Sequence, residues 1–331
     1  MTFMQESQPE LENIKFLEAT IIPAQQRFVF IVGVSRSGTT LLRKTLNRSD
    51  QIAISNENHF LGHLYAREGA RFKFRRFGDL NDDENVRRLV AFIYDGGLEA
   101  SSRLRGMSKH WHWIVKMVDR NEFLNRVLAS DRSEAGLFTV MMQVYADRKR
   151  KPIMGEKTPS HVRYVPTLFD WFPGAKVIHM LRDPRAIFVS ELRRRRLEPE
   201  TWPYKQLRHV GPLFALYILL ETSFAWLESV SLSAKYRQQY PDKYYRLRFE
   251  DLVAGPEPHL RRVCAFLEVE FQDKMLKQKV VSKGFAAGQV GFDAEAAGRW
   301  QSQIHPWANA WFSFWFQKQL KELGFPCKSR I

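Results

Sequence analysis

The chain has 331 residues, and 44% of them are hydrophobic, which excludes a wholly disordered protein. Two cysteines, Cys264 and Cys327, exclude a disulfide scaffold or a four-cysteine zinc site and indicate a reducing compartment. Lysine and arginine number 51 against 36 aspartate and glutamate. The resulting net charge of +15 indicates an anionic partner: a nucleic acid, a nucleotide, a sulfated or phosphorylated product, or an anionic lipid surface.

Residues 1–26 are polar and predict an N-terminal arm without the apolar core of a secretory signal. The two longest uncharged stretches are 209–220, which is short for a bilayer, and 300–317, which is polar. We therefore expect no transmembrane segment and a cytoplasmic protein.

Short apolar runs alternate with helical patterns along the rest of the chain. The first run, residues 28–34, precedes a Gly/Ser loop and a helix over 39–49. The other predicted strands are 51–55, 175–182 and 243–249, and the other predicted helices are 162–172, 184–196, 212–236 and 256–269. Residues 155–161 are predicted to form a loop that leads into the helix 162–172. This alternation predicts an α/β fold, a P-loop-like central parallel sheet flanked by helices. A single domain over 27–331 would then carry a basic helical insertion at 60–150.

The loop GVSRSGTT, residues 33–40, lies between the first strand and its helix. Backbone N–H groups at a helix N-terminus form an anion site, and the G-x-x-x-x-G spacing is that of a nucleotide-triphosphate P-loop. Thr39 stands where the P-loop has its lysine, and Arg36 is the cation within the loop. We therefore expect one terminal phosphate or a mixed anhydride as ligand. A P-loop kinase or NTPase and a basic nucleic-acid-binding protein stay open as alternatives, although no recognised nucleic-acid motif stands out.

The segment GVSRSGTTLLR resembles the phosphosulfate-binding loop of sulfotransferases that use 3′-phosphoadenosine 5′-phosphosulfate (PAPS), and it is most similar to the tyrosylprotein and bacterial or Golgi-type enzymes. The resemblance implies a sulfotransferase domain over 27–331 with the acceptor side in the insertion. It also implies that the 5′-phosphosulfate is held by Arg36, Ser37, Gly38, Thr39 and Thr40.

A second motif of this family holds the 3′-phosphate of PAPS, and VIHMLRDPRAIFVS resembles it. Arg182 ends a predicted strand and Ser190 follows eight residues later. An arginine can bind a phosphate through two parallel hydrogen bonds, and a serine hydroxyl adds a further donor.

Weaker matches complete the implied nucleotide site. Phe249 stands where the family often has a tyrosine near adenine, and Lys283 and Gly284 resemble a Lys-Gly pair that contacts the 3′-phosphate. The pair Arg299-Trp300 resembles a recurrent late motif with no assigned role.

Sulfuryl transfer needs positioning, a base for the acceptor proton and cations near the leaving oxygen. The resemblance implies Glu57 as the general base, because tyrosylprotein enzymes have a glutamate 21 residues after the loop arginine. Glu57 would lie beside the glycine loop if the first two strands are neighbours in the sheet. His59 is the alternative base, and Lys157 or Arg36 would stabilise the bridging oxygen. We predict that no metal is required, since arginine and lysine can neutralise the charge.

The sequence indicates less about the acceptor site than about the nucleotide site. Residues 71–77 interleave phenylalanine with basic residues, and residues 110–113 read HWHW. Arg193–Arg196 would extend the 3′-phosphate helix with positive charge, and Trp307, Trp311 and Trp315 recur with helical spacing that favours core packing. We expect a small-molecule, carbohydrate or lipid-linked acceptor and no nucleic acid. The sequence leaves the acceptor and the oligomeric state open.

Overall fold

The computed structural model describes residues 27–62, 74–95, 111, 113–198, 203–279 and 290–327. The predicted arm 1–26, parts of the predicted insertion and the pair Lys283 and Gly284 lie outside these residues.

Five parallel strands form one sheet in the order β2-β3-β1-β4-β5. The strands are β1 (Phe28–Gly33), β2 (Ile52–Ser55), β3 (Ile153–Lys157), β4 (Lys176–Leu181) and β5 (Tyr244–Arg248). The prediction of a parallel sheet is confirmed, and each of the four predicted strands is present within one or two residues of its predicted bounds.

Helices cover the sheet. They are α1 (Thr39–Leu46), α2 (Asp83–Asp95), α3 (Arg120–Leu128), α4 (Glu134–Lys149), α5 (Val165–Trp171), α6 (Pro184–Leu197), α7 (Tyr204–Leu207), α8 (Gly211–Gln239), α9 (Phe249–Ala254), α10 (Pro256–Phe266), α11 (Pro306–Trp315) and α12 (Gln317–Glu322). Residues 113–117 are helical as well. Short 3-10 turns cover Arg75–Phe77, Pro159–Tyr164, Asp273–Leu276, Ala294–Ala297 and Arg299–Ser302.

The core lies on both faces of the sheet because side chains alternate along each strand. In β1, Phe28, Phe30 and Val32 pack in one apolar cluster, whereas Val29 and Ile31 pack in another on the opposite face. A third cluster joins α6, α8 and α11 beside the sheet.

The expectation of a loop over 155–161 was wrong at its start, where β3 lies between β2 and β1. Its sequence, IMGEK, lacks the continuous apolar run of a strand such as β1, since it includes Glu156 and Lys157, which are buried with polar partners. Gly155 lies so close to β1 that a Cβ there would be 1.9 Å from the carbonyl oxygen of Val29. The first two strands are therefore not neighbours, and the argument that placed Glu57 beside the glycine loop was wrong on this point.

The part of the predicted insertion that forms α4 contacts β2 and β3. Phe138, Met141 and Met142 of this helix are buried in the core. Residues 134–149 thus form a crossover helix of the sheet rather than an appended element.

The structure also places the two uncharged stretches. Residues 211–220 of the first stretch begin the 29-residue helix α8, which is long and apolar enough to cross a membrane by length and composition alone, although 50% of its most apolar window is buried inside the domain. In α11, the buried residues are Ala308, Asn309 and Phe312, whereas Trp307 and Trp315 are exposed. Core packing of the tryptophan stripe was therefore a wrong prediction for its two ends.

Candidate active site

A candidate residue or loop lies at the carboxyl end of every strand of the sheet. The loop 33–40 follows β1, Glu57 lies two residues after β2, Lys157 ends β3, Arg182 follows β4 and Phe249 follows β5. The carboxyl ends of parallel strands meet at one edge of a sheet, where open α/β folds bind their ligands.

One cleft opens at this edge. It is lined by the candidate residues Arg36, Gly38, Thr39, Thr40, Glu57, Arg182, Ser190 and Phe249. Further lining residues include Ser35, Arg193, Arg194, Leu197, Arg299 and Trp300. The structure therefore brings together the two phosphate motifs that the sequence placed about 150 residues apart.

The glycine loop has a strained backbone that fits a close approach to an anion. Arg36 has φ 68° and Gly38 has φ 96°, both in the left-handed region. A Cβ at Gly38 would lie 2.5 Å from the ring of Phe249, so a side chain there would collide with the predicted adenine-side aromatic. Helix α1 begins at Thr39, which aims its free N–H groups at the cleft.

Ser37 is the one of the five predicted phosphosulfate contacts of the loop that does not line the cleft. Its side chain is buried, and Oγ finds no hydrogen-bond partner among the described residues. Its backbone N–H donates to the carbonyl of Val34 over 3.2 Å. The Ser37 hydroxyl was predicted to contact the ligand, whereas in the structure it is buried and does not line the cleft.

Arg36 contacts both residues of the predicted 3′-phosphate motif, Ser190 through its side chain and Arg182 through its backbone carbonyl. Arg36 Nε donates to Ser190 Oγ over 2.9 Å, and Arg182 Nη1 donates to the carbonyl of Arg36 over 2.8 Å. The Arg182 guanidinium also lies 4.0 Å from the centre of the Phe249 ring. Burial lowers the pKa of Arg182 to about 10, so the group stays charged at neutral pH. The two predicted phosphate sites are therefore physically connected.

Asp183 and Arg185 fix the chain just beyond Arg182. The two side chains form a buried pair, with Arg185 Nη2 donating to Asp183 Oδ2 over 2.7 Å. The Asp183 N–H donates to Glu250 Oε1 over 3.0 Å. Burial raises the pKa of Glu250 to about 7. Arg185 and Glu250 were not identified as site residues from the sequence. Their closeness along the chain to Arg182 and Phe249 was the available indication.

Lys157 links the glycine loop to Glu57. Its Nζ donates to Thr40 Oγ1 over 3.3 Å and to Glu57 Oε1. His59 Nε2 lies 3.4 Å from Glu57 Oε2. Burial raises the pKa of Glu57, but the hydrogen bond from His59 and the charge of Lys157 together hold it well below its usual range. The predicted catalytic residues Glu57, Lys157 and His59 therefore form one contact group.

A buried polar network that sequence reasoning missed supports this group. Glu156 Oε1 accepts from the N–H of Asn58 over 3.2 Å and from the hydroxyl of Thr158. His161 lies on the other side, with Nδ1 at 3.1 Å from Glu156 Oε2 and Nε2 accepting from the N–H of Leu61 over 3.2 Å. The network holds the backbone on both sides of His59. The available signal in the sequence was that successive side chains of a strand lie on opposite faces, which places Glu156 and Lys157 on different faces of the sheet.

Trp111, from the predicted insertion, contacts the same loop. It is fully buried, and its indole N–H donates to the carbonyl of Asn58 over 3.1 Å. Its neighbours His110 and His112 lie outside the described residues. In the segment 71–77, Arg75 forms an ion pair with Glu134, and the ring of Phe77 packs on that of Phe92.

The basic run 193–196 divides between two environments. Arg193 and Arg194 line the cleft, whereas Arg195 is buried beside Glu191. Among the residues that the structure describes, no group of three or more His, Cys, Asp or Glu is placed to hold a metal ion.

Comparison with protein families finds one match along most of the chain. The model of a sulfotransferase family matches residues 29–273. Protein-tyrosine sulfotransferase A of Caenorhabditis elegans is 22% identical over 265 residues, which are 80% of this chain and 56% of that protein. The omega-hydroxy-beta-dihydromenaquinone-9 sulfotransferase Stf3 of Mycobacterium bovis is 29% identical over 138 residues, 40% of this chain and 32% of that protein. The chain thus spans less than two thirds of either relative.

Two solved structures resemble the fold. The sulfotransferase domain of the Synechococcus PCC 7002 olefin synthase has a TM-score of 0.50 and 19% identity, covering 88% of this chain and 93% of that domain. The sulfotransferase domain from the curacin biosynthetic pathway has the same TM-score and identity, covering 91% and 98%. The predicted fold class is confirmed.

Proposed function

The chain belongs to the sulfotransferase family, and from this premise we propose that it moves a sulfuryl group from PAPS to a hydroxyl of its acceptor. This proposal takes precedence over the kinase and nucleic-acid-binding alternatives. The observation that carries it is the convergence of the glycine loop, Lys157, Arg182 and Glu57 from four different strand ends around one cleft.

The residues of the cleft fit a donor with two separate anionic groups. The loop 33–40, with the N-terminus of α1 and Lys157, offers N–H groups and positive charge for a phosphosulfate. Arg182 and Ser190, with Arg193 and Arg194 beside them, offer a second cationic region. Arg182 Nε is buried without a hydrogen-bond partner among the described residues, as expected of a donor that a ligand would satisfy.

Phe249 packs between Gly38 and the Arg182 guanidinium at the wall of the cleft, and its place near adenine stays a prediction. When bound, the donor supplies the sulfuryl group and a phosphate leaving group. Arg36, Gly38, Thr39 and Thr40 would hold the phosphosulfate, whereas Ser37, whose backbone N–H donates to the carbonyl of Val34, would shape the loop. Lys283 and Gly284 stay predictions for the 3′-phosphate.

Glu57 is the proposed general base. It is ionised at neutral pH, lines the cleft and can accept the proton of the acceptor hydroxyl. A carboxylate with so low a pKa is a weak base, and its basicity would increase once Lys157 is drawn toward negative charge on the leaving oxygen. Lys157 would then act at two points: it restrains Glu57 before reaction and stabilises the leaving oxygen during it.

His59 is the alternative base. Its contact with Glu57 Oε2 suits a positioning role, in which the imidazole orients the carboxylate. Arg36 is proposed to share the stabilisation of negative charge with Lys157. The proposed reaction uses no metal.

For the acceptor, we propose a hydroxyl of a small molecule, a carbohydrate or a lipid-linked compound. The names of the two relatives give a protein tyrosine and an omega-hydroxy menaquinone, and these two classes are the first acceptors to screen. We also propose a cytoplasmic location, which cell fractionation with an antibody against the chain would test.

The test begins with donor binding. The purified chain is titrated calorimetrically with adenosine 3′,5′-bisphosphate in EDTA, with AMP as the matched ligand that lacks the 3′-phosphate. Metal-independent binding that AMP does not equal supports the proposal, and labelled PAPS then identifies the acceptor. Absence of bisphosphate binding, together with magnesium-dependent ATP binding, would overturn it in favour of a P-loop kinase.

A further inference from the structure

Helix α8 presents an apolar stripe to solvent. Leu213, Leu216 and Phe224 are exposed, Phe224 to 71%, and their spacing places them on one side of the helix. Glu221 is the one charged residue between 213 and 227, and its carboxylate accepts a hydrogen bond from the hydroxyl of Tyr204. The stripe from Leu213 to Phe224 thus extends over about three turns, with Glu221 as the one charged residue in that span.

Helix α11 adds aromatic side chains beside this stripe. The indole N–H of Trp311 donates to Ser223 Oγ over 3.2 Å, next to Phe224 in the chain. The ring of Trp315 lies 5.8 Å from that of Trp311, and Phe314 contacts Trp315 edge-on at 5.2 Å. Phe314 and Trp315 are 74% and 60% exposed. We call the exposed residues of this surface, Leu213, Leu216, Phe224, Phe314 and Trp315, the apolar face.

The opposite side of α8 packs inside the domain. Phe214, Ile218 and Trp226 are buried in the cluster with α6 and α11. The indole N–H of Trp226 donates to the carbonyl of Arg182 over 2.9 Å. A bilayer-spanning position would break these contacts and displace Arg182, so a surface position of α8 is the arrangement that preserves the cleft.

Positive charge borders the apolar face at both ends. Lys205 and Arg208 are exposed just before α8, and Lys318 and Lys321 are exposed just after α11. Exposed tryptophan and phenylalanine flanked by lysine and arginine are typical of surfaces that bind the interface of anionic membranes. A second copy of the chain would bring another net charge of +15 against the same basic borders, which disfavours self-association.

We propose that the apolar face docks on the surface of an anionic lipid bilayer, with the phenylalanine and tryptophan rings in the headgroup region and the lysines and arginine against lipid phosphates. Leu197, exposed at the rim of the cleft, ends the helix α6 that packs between the cleft and α11. Docking thus keeps the cleft close to the membrane. This inference concerns binding alone and does not depend on the proposed reaction.

Vesicle flotation with the full purified chain tests the proposal. We expect the chain to float with vesicles of phosphatidylcholine and phosphatidylglycerol and not with phosphatidylcholine alone, and to be released by salt. The double variant Phe224→Ser/Trp315→Ser should lose at least about tenfold in partition, because two interfacial aromatic anchors are removed. Lys318→Gln/Lys321→Gln should weaken binding to anionic vesicles, whereas Arg148→Gln/Lys149→Gln, at the end of α4, is the charge-matched control and should not.

Circular dichroism and bisphosphate binding verify that the variants are folded. No flotation of the wild-type chain would overturn the proposal, and so would undiminished flotation of the folded aromatic variant. Reversible dimerisation in sedimentation velocity, abolished by Phe224→Ser/Trp315→Ser and without vesicle binding, would overturn it in favour of a second copy of the chain.

Discussion

The ammonium group of Lys157 donates a hydrogen bond to Oε1 of Glu57, so the two candidate catalytic residues partly neutralise each other. The Lys157 side chain is 5% exposed and that of Glu57 is 37% exposed, so the pair is reachable from the cleft on the carboxylate side. The contact arises because β2 and β3 are neighbours, with Ser55 in register with Glu156. A substrate that attracts the ammonium group would release the carboxylate for proton transfer.

Glu57→Gln tests the base. We expect turnover of labelled PAPS to fall roughly 10²–10⁴-fold, because the amide cannot accept the acceptor proton. Binding of adenosine 3′,5′-bisphosphate, measured by calorimetry, should be unchanged. His59→Asn is the matched comparison and should cost less. Full activity in Glu57→Gln, or a larger loss in His59→Asn, would transfer the role to His59.

Lys157→Met tests the restraint of Glu57 and the pH dependence that follows from it. Lys157 helps to lower the pKa of Glu57, so its removal raises that pKa toward the ordinary value of 4.5. The acid limb of the pH profile of kcat/KM should therefore move to higher pH. The kcat should also fall, by about 10²–10³-fold, through lost stabilisation of the leaving oxygen. An acid limb at the wild-type position would show that Lys157 does not control the basicity of Glu57.

Arg182→Lys and Ser190→Ala test the 3′-phosphate site. Lysine keeps the charge of Arg182 but loses the planar donor pair and the stacking on Phe249, so bisphosphate affinity should fall about tenfold or more. Ser190→Ala removes one neutral hydrogen bond and should cost less than tenfold. Affinity for AMP should change little in either variant. Equal losses for AMP and the bisphosphate would contradict the assignment.

Glu156→Gln tests the buried network as a positioning device. The amide keeps the size of the side chain and one acceptor, whereas Glu156→Ala removes the carboxylate from the buried Thr158 hydroxyl and His161 Nδ1 and leaves the N–H of Asn58 with only its 3.3 Å hydrogen bond to Thr158 Oγ1. We expect Glu156→Ala to lower the free energy of unfolding by about 1–3 kcal/mol in urea titrations. In both variants kcat should fall more than donor affinity, with partial recovery in the glutamine variant. A loss of stability with an unchanged kcat would limit Glu156 to a structural role.

Glu250 predicts a second pH effect, on stability. Burial raises its pKa in the folded chain to about 7, above the value of 4.5 for the free side chain. The folded state therefore binds more protons between these two values, and the free energy of unfolding should decrease as the pH rises from about 4.5 to about 7. Urea titrations at several pH values should show a weaker decrease in Glu250→Gln. An identical pH dependence in the variant would contradict the assigned shift.

The phosphate motifs were predictable from sequence because each is contiguous. The loop 33–40 and the pair Arg182 and Ser190 each combine a strand end with the start of a helix, and helical geometry brings their members together. Strands with a continuous apolar run, such as β1, were predictable for the same local reason.

The missing parts depend on contacts between distant segments. The strand β3 carries Glu156 and Lys157, whose burial depends on partners 100 residues earlier in the chain. The order of the strands also depends on contacts between distant segments. Glu57 was therefore predicted correctly as a cleft residue, although the prediction assumed wrongly that β1 and β2 are neighbours. The exposed ends of the tryptophan stripe were missed because helical spacing identifies a face without showing which face is buried.

Because each strand end supplies one candidate residue, the cleft is complete only when all five strands are paired. The contacts that build it, such as Lys157 with Thr40 and Arg182 with the Arg36 carbonyl, join segments 117 and 146 residues apart. Such long-range contacts form late in folding because their loops are costly to close. Donor binding should accordingly appear only in the last refolding phase, after most helical signal has returned, so that nucleotide affinity reports complete assembly of the sheet.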